Sequence, residues 1–270
     1  MRRTSVNDTR LVPDRARPGS WIVRVSGTDQ SYVDPSDPTY LEFDYVQRIA
    51  HIIDNAFTPG SRIMAVHVGG AGMTIPRYVA HTRPTSGQIV LEPDASLTAA
   101  VRAVAPLPLH SGIKVRALDG ATGLAQLADD YADLIVVDAF VGGQVPRDLT
   151  TETWFREVRR VLRSDGILTM NITGQAPFDY ARRVIAGIMD QFSPVVAGAE
   201  PSTWKGRRFG NMVISAGTTL NPYPLIREAA SAFFPYHLVF GPELDRFVAS
   251  ARPFSSEDAQ PSPPPPWTLF

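Results

Sequence analysis

Apolar residues recur along this chain in two rhythms, and each change of rhythm marks an element. Trp21-Ile22-Val23-Arg24-Val25 reads as a strand, and the turn Gly27-Thr28-Asp29 leaves Gln30 to Val33 as its hairpin partner. Tyr40, Leu41, Tyr45, Ile49, Ile52 and Ile53 then fall on one helical face, which Pro59-Gly60 ends. From residue 61 to about 217 the two rhythms alternate. Ile63 to Val68, Gln88 to Leu91, Ile113 to Leu118, Leu134 to Val137 and Gly166 to Asn171 are predicted strands. Met73 to His81, Ala95 to Val104, Ala121 to Ala128, Thr151 to Leu162 and Phe178 to Met189 are predicted helices. Further strands near Pro194 to Ala197 and Gly210 to Ser215, and a helix over about Pro224 to Phe233, complete the globule. Strands separated by helices predict an α/β fold with a doubly wound, mostly parallel sheet and a small N-terminal β-hairpin region.

Both ends lack either rhythm. Residues 1–20 mix Arg, Asp, Pro and Thr, including Arg2, Arg3 and Arg17, and are expected to be mobile. Residues 253–270 contain Pro263 to Pro266; proline lacks the amide donor, so a disordered, extended tail is expected. The expected division is 1–20, a hairpin and helix over 21–58, the sheet domain over 59–252, and the tail. Composition narrows the chemistry. The 270 residues contain no cysteine, which removes disulfides, thiolate nucleophiles and zinc–cysteine sites. A net charge of -1 gives no broad basic field for nucleic acid. The histidines show no metal-ligand spacing, so no metal is expected, and His67, inside an apolar strand, reads as a hydrogen-bonded core residue. No apolar stretch approaches a membrane span and the N-terminus lacks a signal-type apolar run. A cytoplasmic protein without membrane or nucleic-acid partners is expected.

Open parallel sheets bind ligands at the carboxyl ends of their strands. Four features fall there. Gly69-Gly70-Ala71-Gly72 follows the first sheet strand, where small residues let a backbone approach a ligand and a helix start favours polar or negative groups. Glu92, followed by Pro93, ends the second strand and is placed to accept hydrogen bonds from ribose hydroxyls. Asp119-Gly120-Ala121 ends the third; Asp119 suits either an exocyclic amine such as adenine N6 or a helix cap. Asp138 ends the fourth, the central position for a reacting group.

This ordered set resembles the spermidine-synthase-like, polyamine aminopropyltransferase branch of the class I S-adenosylmethionine-dependent methyltransferase superfamily, over roughly residues 21–217. Gly69-Gly70-Ala71-Gly72 resembles the family's GGGDG turn, Glu92-Pro93-Asp94 its strand-two acids, and Asp119-Gly120-Ala121 its strand-three Asp-Ala segment. Asp138 resembles the strand-four Asp, followed by a Gly- and Pro-containing gate loop, Phe140 to Asp148. Gln30-Ser31…Asp34…Tyr40-Leu41-Glu42 resembles the hairpin segment. The resemblance implies a Rossmann-like fold and a transferase that binds S-adenosylmethionine or its decarboxylated form and passes an aminopropyl or methyl group to a small-molecule acceptor such as an amine. It implies donor contacts from Gln30, Gly69 to Gly72, Glu92, Pro93, Asp119, Gly120 and Asp138, acceptor placement by Asp138 and Tyr40, and a homodimer. Three departures stand beside it: Gly72 replaces the turn's Asp, Asp138-Ala139-Phe140-Val141 keeps only the first acid of Asp-x-x-Asp-Pro, and Leu41 replaces a His. Gly72 is expected to make room for a methionine carboxylate. Two alternatives remain: a non-catalytic nucleotide-binding homologue without an amine site, and an NAD-dependent oxidoreductase on the same topology.

Overall fold

The computed structural model describes residues 9–25 and 27–266. The chain begins with three strands, β1 (Thr9–Pro13), β2 (Trp21–Val25) and β3 (Thr28–Val33), paired antiparallel in that order. β1 corrects the expectation of a mobile N-terminus: Leu11 faces Val23 and Val12 faces Ile22, so the ladder orders this segment despite its polar composition. Arg17 donates to Asp34 at 2.6 Å and to Asp37 at 2.9 Å, tying the β1–β2 connection to the end of β3. Residues 1–8, including Arg2 and Arg3, lie outside the described residues.

The sheet domain follows in chain order: α1 (Asp44–Ala56), β4 (Met64–Val68), α2 (Thr74–Thr82), β5 (Gly87–Leu91), α3 (Ala95–Val104), β6 (Ile113–Arg116), α4 (Gly120–Ala125) and β7 (Ala132–Val137). Then come α5 (Glu152–Val161), β8 (Leu162–Gly174), α6 (Asp179–Met189), β9 (Val195–Ala199), α7 (Pro201–Trp204), β10 (Gly210–Ala216), α8 (Pro222–Ser231), β11 (His237–Phe240) and α9 (Pro242–Val248). Among the described residues the large sheet has eight strands in the order β11-β9-β10-β8-β7-β4-β5-β6. Its half around β4 is parallel, while β10 runs antiparallel between β8 and β9 and β11 antiparallel on β9.

Helices cover both faces, as buried parallel strands require. Val66, Val68, Ile135 and Val137 pack with α5 and α6 residues such as Phe155, Val158 and Ile185 on one face. Ala65, Leu134 and Val136 pack with Ile49 and Ile53 of α1 and Val79 of α2 on the other. Val23 of the small sheet meets Met73 and Leu97, seating the hairpin over the first βα turn. Among the described residues no helix is long and apolar enough to cross a membrane.

The C-terminal segment is the second correction. Phe254 is fully buried, packs its ring at a tilt against Tyr180 and bridges Thr151 of the α5 start. Arg183 of α6 donates to the Pro253 carbonyl and to Asp258. Ser262 is fully buried as well and pairs with Val145 in both directions, at 3.2 and 3.0 Å. A run of prolines needs no ladder of its own when flanking side chains anchor it. Residues 267–270 lie outside the described residues.

Candidate active site

A cavity of about 450 Å³ opens at the carboxyl ends of β4, β5 and β7, beneath the N-terminal hairpin. Its lining includes Gln30, Gly69, Gly70, Ala71, Glu92, Pro93, Asp119, Gly120 and Asp138, so the fold gathers most of the residues singled out from sequence. The strand register explains why. Val68 pairs with Leu91 and with Val137, so the residues that follow these strands emerge side by side.

The glycine turn is shaped by what surrounds it. Gly69 has φ of +93°, and a Cβ there would lie 2.1 Å from the Asp138 carbonyl oxygen. At Gly70 a Cβ would meet Val90 and Glu92 at 2.8 and 2.9 Å. Glu92 Oε2 accepts from the Gly70 and Ala71 amides at 2.9 and 3.3 Å, and Oε1 from the Asp94 amide at 2.9 Å. The carboxylate thus fixes the turn, and each oxygen keeps lone-pair capacity for a ligand hydroxyl.

Asp119 resolves into the cap: it accepts from the Thr122 amide and hydroxyl, both at 2.8 Å, which lowers the pKa of its carboxyl. It does so from the cavity wall. Asp94 caps α3 through the Ser96 and Leu97 amides.

Asp138 lines the cavity just past the end of β7. Burial pushes its carboxyl up, and hydrogen bonds from Asn171 and Tyr45 pull it partly back. Asn171 Nδ2 donates at 3.0 Å. The Tyr45 hydroxyl is driven well above its ordinary value by burial and by the Asp138 charge. Neither partner was singled out from sequence as functional. Tyr45 fits the apolar stripe of its helix, and Asn171 shows only as one of several polar residues along its strand.

Two expected site residues lie elsewhere. Gly72 does not line the cavity; a Cβ there would stand 2.7 Å from Ser31 Oγ, so its bareness lets the hairpin close on the turn, and makes no room for a ligand carboxylate. Tyr40 also lies outside the lining. Its ring supports the Arg17 guanidinium at 3.8 Å and its hydroxyl donates to Glu42 at 2.7 Å. Asp34 of the same segment is spent on Arg17, Ser36 and Asp37. The hairpin motif is therefore structural here, except for Gln30 and Ser31, which reach the cavity.

The lining carries five carboxylates, Glu92, Asp94, Asp119, Asp138 and Asp148, and no lysine or arginine among the described residues. Such a cavity favours cationic ligands and disfavours phosphates.

Comparison with known proteins places this geometry. No protein-family model matches the chain. It is 26% identical over 147 residues to the polyamine aminopropyltransferase of Chromobacterium violaceum, covering 54% of this chain and 55% of the relative. The counterpart from Neisseria meningitidis serogroup A matches to the same extent. The chain thus spans about half the length of the curated relatives it matches. Its structure superposes on that of a probable spermidine synthase from Corynebacterium glutamicum with a TM-score of 0.84 and 25% identity, over 94% of this chain and 97% of that one. The likeness is to spermidine synthases. The human methyltransferase-like protein 13 in complex with SAH shares the fold, with a TM-score of 0.58 and 17% identity over 79% of this chain and 96% of that chain. The expected doubly wound, class I methyltransferase-type fold is what the chain adopts.

The gate loop completes the site. Phe140 to Gly143, Pro146, Asp148 and Leu149 line the cavity, and so does Pro265 from the C-terminal segment. Gln144 donates to the Ser262 carbonyl, and Pro265 stands over Gly143. The C-terminal segment thereby holds this loop at Gly143, Gln144 and Val145.

Proposed function

We propose that the chain is a transferase for an adenosyl sulfonium donor, with a small amine as acceptor. The observation that carries this reading is the acidic, cation-free lining around a glycine turn. A sulfonium is a fixed cation, and an ammonium acceptor is another; both gain from carboxylates in a partly enclosed site. The same lining disfavours the diphosphate of NAD. It also offers no cationic side chain to a methionine carboxylate, which favours the decarboxylated donor and aminopropyl transfer.

In this mechanism the Gly69–Ala71 turn and Glu92 hold the ribose side, and Asp119 and Gly120 border the base. Transfer needs the acceptor nitrogen in line with the carbon on sulfur, about 3–3.5 Å away. The bound ammonium first gives one proton to Asp138, which passes it to water. The freed nitrogen lone pair then forms the new C–N bond as the C–S bond breaks, the C–S electron pair stays on sulfur as a neutral thioether, and the product leaves as a secondary ammonium. Burial of Asp138 brings its carboxyl nearer to the range of a useful base, while Asn171 and Tyr45 keep it oriented.

Calorimetry tests the reading. Decarboxylated S-adenosylmethionine is expected to bind, S-adenosylmethionine more weakly, and NAD not at all. Binding of NAD in preference to both sulfonium compounds would overturn it. Tight donor binding with no product from any amine would leave the non-catalytic alternative.

A further inference from the structure

Below Asp138 the cavity continues between α1, α2 and the sheet, and its floor includes a group that the transfer itself does not use. His67 of β4 lines the cavity and is only 2% exposed. Its Nε2 lies 2.9 Å from Gln88 Oε1, and Gln88 Nε2 donates to the Pro76 carbonyl at 3.0 Å. The second contact fixes which end of the Gln88 amide is the acceptor. His67 Nε2 must therefore carry the proton, and Nδ1 is left as a lone-pair acceptor. Nδ1 is buried and has no hydrogen-bond partner among the described residues. Burial also pushes the imidazole down to about 4, so the ring is neutral at physiological pH.

Register places this acceptor relative to the reacting end. His67 pairs with Val136, and the ladder runs on to the Asp138 amide, which donates to the Val68 carbonyl. Side chains alternate along a strand, so Val136 and Asp138 share one face, two residues or about 6.6 Å apart. Tyr45, Val46, Thr74, Ile75, Pro76 and Val136 line the cavity on this face, and none carries a charge. The result is a slot with a carboxylate at its inner mouth, uncharged walls and the neutral His67 ring in its floor. An ammonium at that depth would have no counter-charge, whereas a hydroxyl or amide N–H would satisfy the unpaired nitrogen.

We propose that His67 Nδ1 accepts a hydrogen bond from the far end of the acceptor substrate, and that it selects an amine whose far end is an uncharged donor in place of a second ammonium. The inference rests on the transferase reading for its reacting end. Its own content is the tautomer and the selectivity.

The first test is 15N NMR of the histidine-labelled full chain, with 5′-methylthioadenosine and 4-amino-1-butanol as probes. The expected result is an Nε2–H tautomer whose Nδ1 resonance moves upfield when the amino alcohol is added. An Nδ1–H tautomer, or an Nδ1 signal that stays put at saturation, would overturn the proposal without any turnover being needed. The second test compares kcat/KM for 4-amino-1-butanol, butylamine and 1,4-diaminobutane, with decarboxylated S-adenosylmethionine as donor. The amino alcohol is expected to lead by about tenfold, the value of one well-made buried hydrogen bond, and His67→Leu to abolish the lead over butylamine. A preference for the diamine, or a lead that survives in His67→Leu, would also overturn it. Failure of 5′-methylthioadenosine to bind sinks the transferase reading instead, and the tautomer then still decides the state of His67.

Discussion

His67 shows how much depends on one side chain. Its folded-state pKa of about 4 lies below the ordinary 6.5. Between these values the unfolded chain binds a proton that the native ring refuses, so stability is lost as pH falls from 6.5 to 4 and the loss levels off below 4. Each pH step of one across that window is worth about 1.4 kcal/mol, which brings the full loss to about 3 kcal/mol. Urea denaturation across this range is expected to show a smaller acid loss in His67→Leu than in the unaltered chain, the remainder coming from groups such as His51, which burial also pushes down. Glu92 supports a second prediction. Glu92→Ala frees the Gly70 and Ala71 amides and removes the proposed ribose acceptor, and is expected to weaken donor binding by about 1–3 kcal/mol in calorimetry. Asp138→Asn is expected to retain donor binding and lower turnover by about 10²-fold or more, the usual worth of a positioned base. Glu92, Asp119 and Asp138 were legible from sequence because each follows a strand-like segment. Tyr45 and Asn171 were not, since their value comes from meeting Asp138 across different elements.

At the scale of elements, the hairpin and the glycine turn form one unit. Ser31 Oγ lies 2.9 Å from Thr74 Oγ1, which donates to the Tyr32 carbonyl at 2.6 Å, so β3 is stitched to the first turn of α2. Gly72 is where the two surfaces touch. Gly72→Ala is expected to cost about 1–3 kcal/mol by overpacking against Ser31, and Ser31→Gly to recover much of that loss in the double variant. Additive losses in thermal denaturation would refute the contact. Most helices and strands were readable from periodicity, and α3 matches the predicted Ala95 to Val104. The failures share a cause. β1, β11 and α9 are short, with weak apolar periods, and owe their order to the surfaces they pack on. The hairpin motif carried family-like residues, yet Asp34 and Tyr40 are held by Arg17, a partner supplied by a loop that looked featureless.

For the whole molecule, the C-terminal segment joins core and cavity. Phe254 anchors it beside α5 and α6, Ser262 clamps it to the gate loop, and Pro265 becomes cavity wall. Phe254→Ala is expected to destabilise the fold by about 3–5 kcal/mol, as for other fully buried aromatics, with the melting temperature as readout. The amino-acid sequence by itself determined the layer architecture and the acidic strand ends, because hydrophobic period and strand-terminal polarity are local properties. Only the tertiary structure decided which acids face one cavity, that Gly72 serves packing, that a proline run closes the site, and that His67 keeps an unpaired nitrogen. Each of these depends on residues far apart in the chain arriving within a few ångströms, and no local pattern records such a meeting.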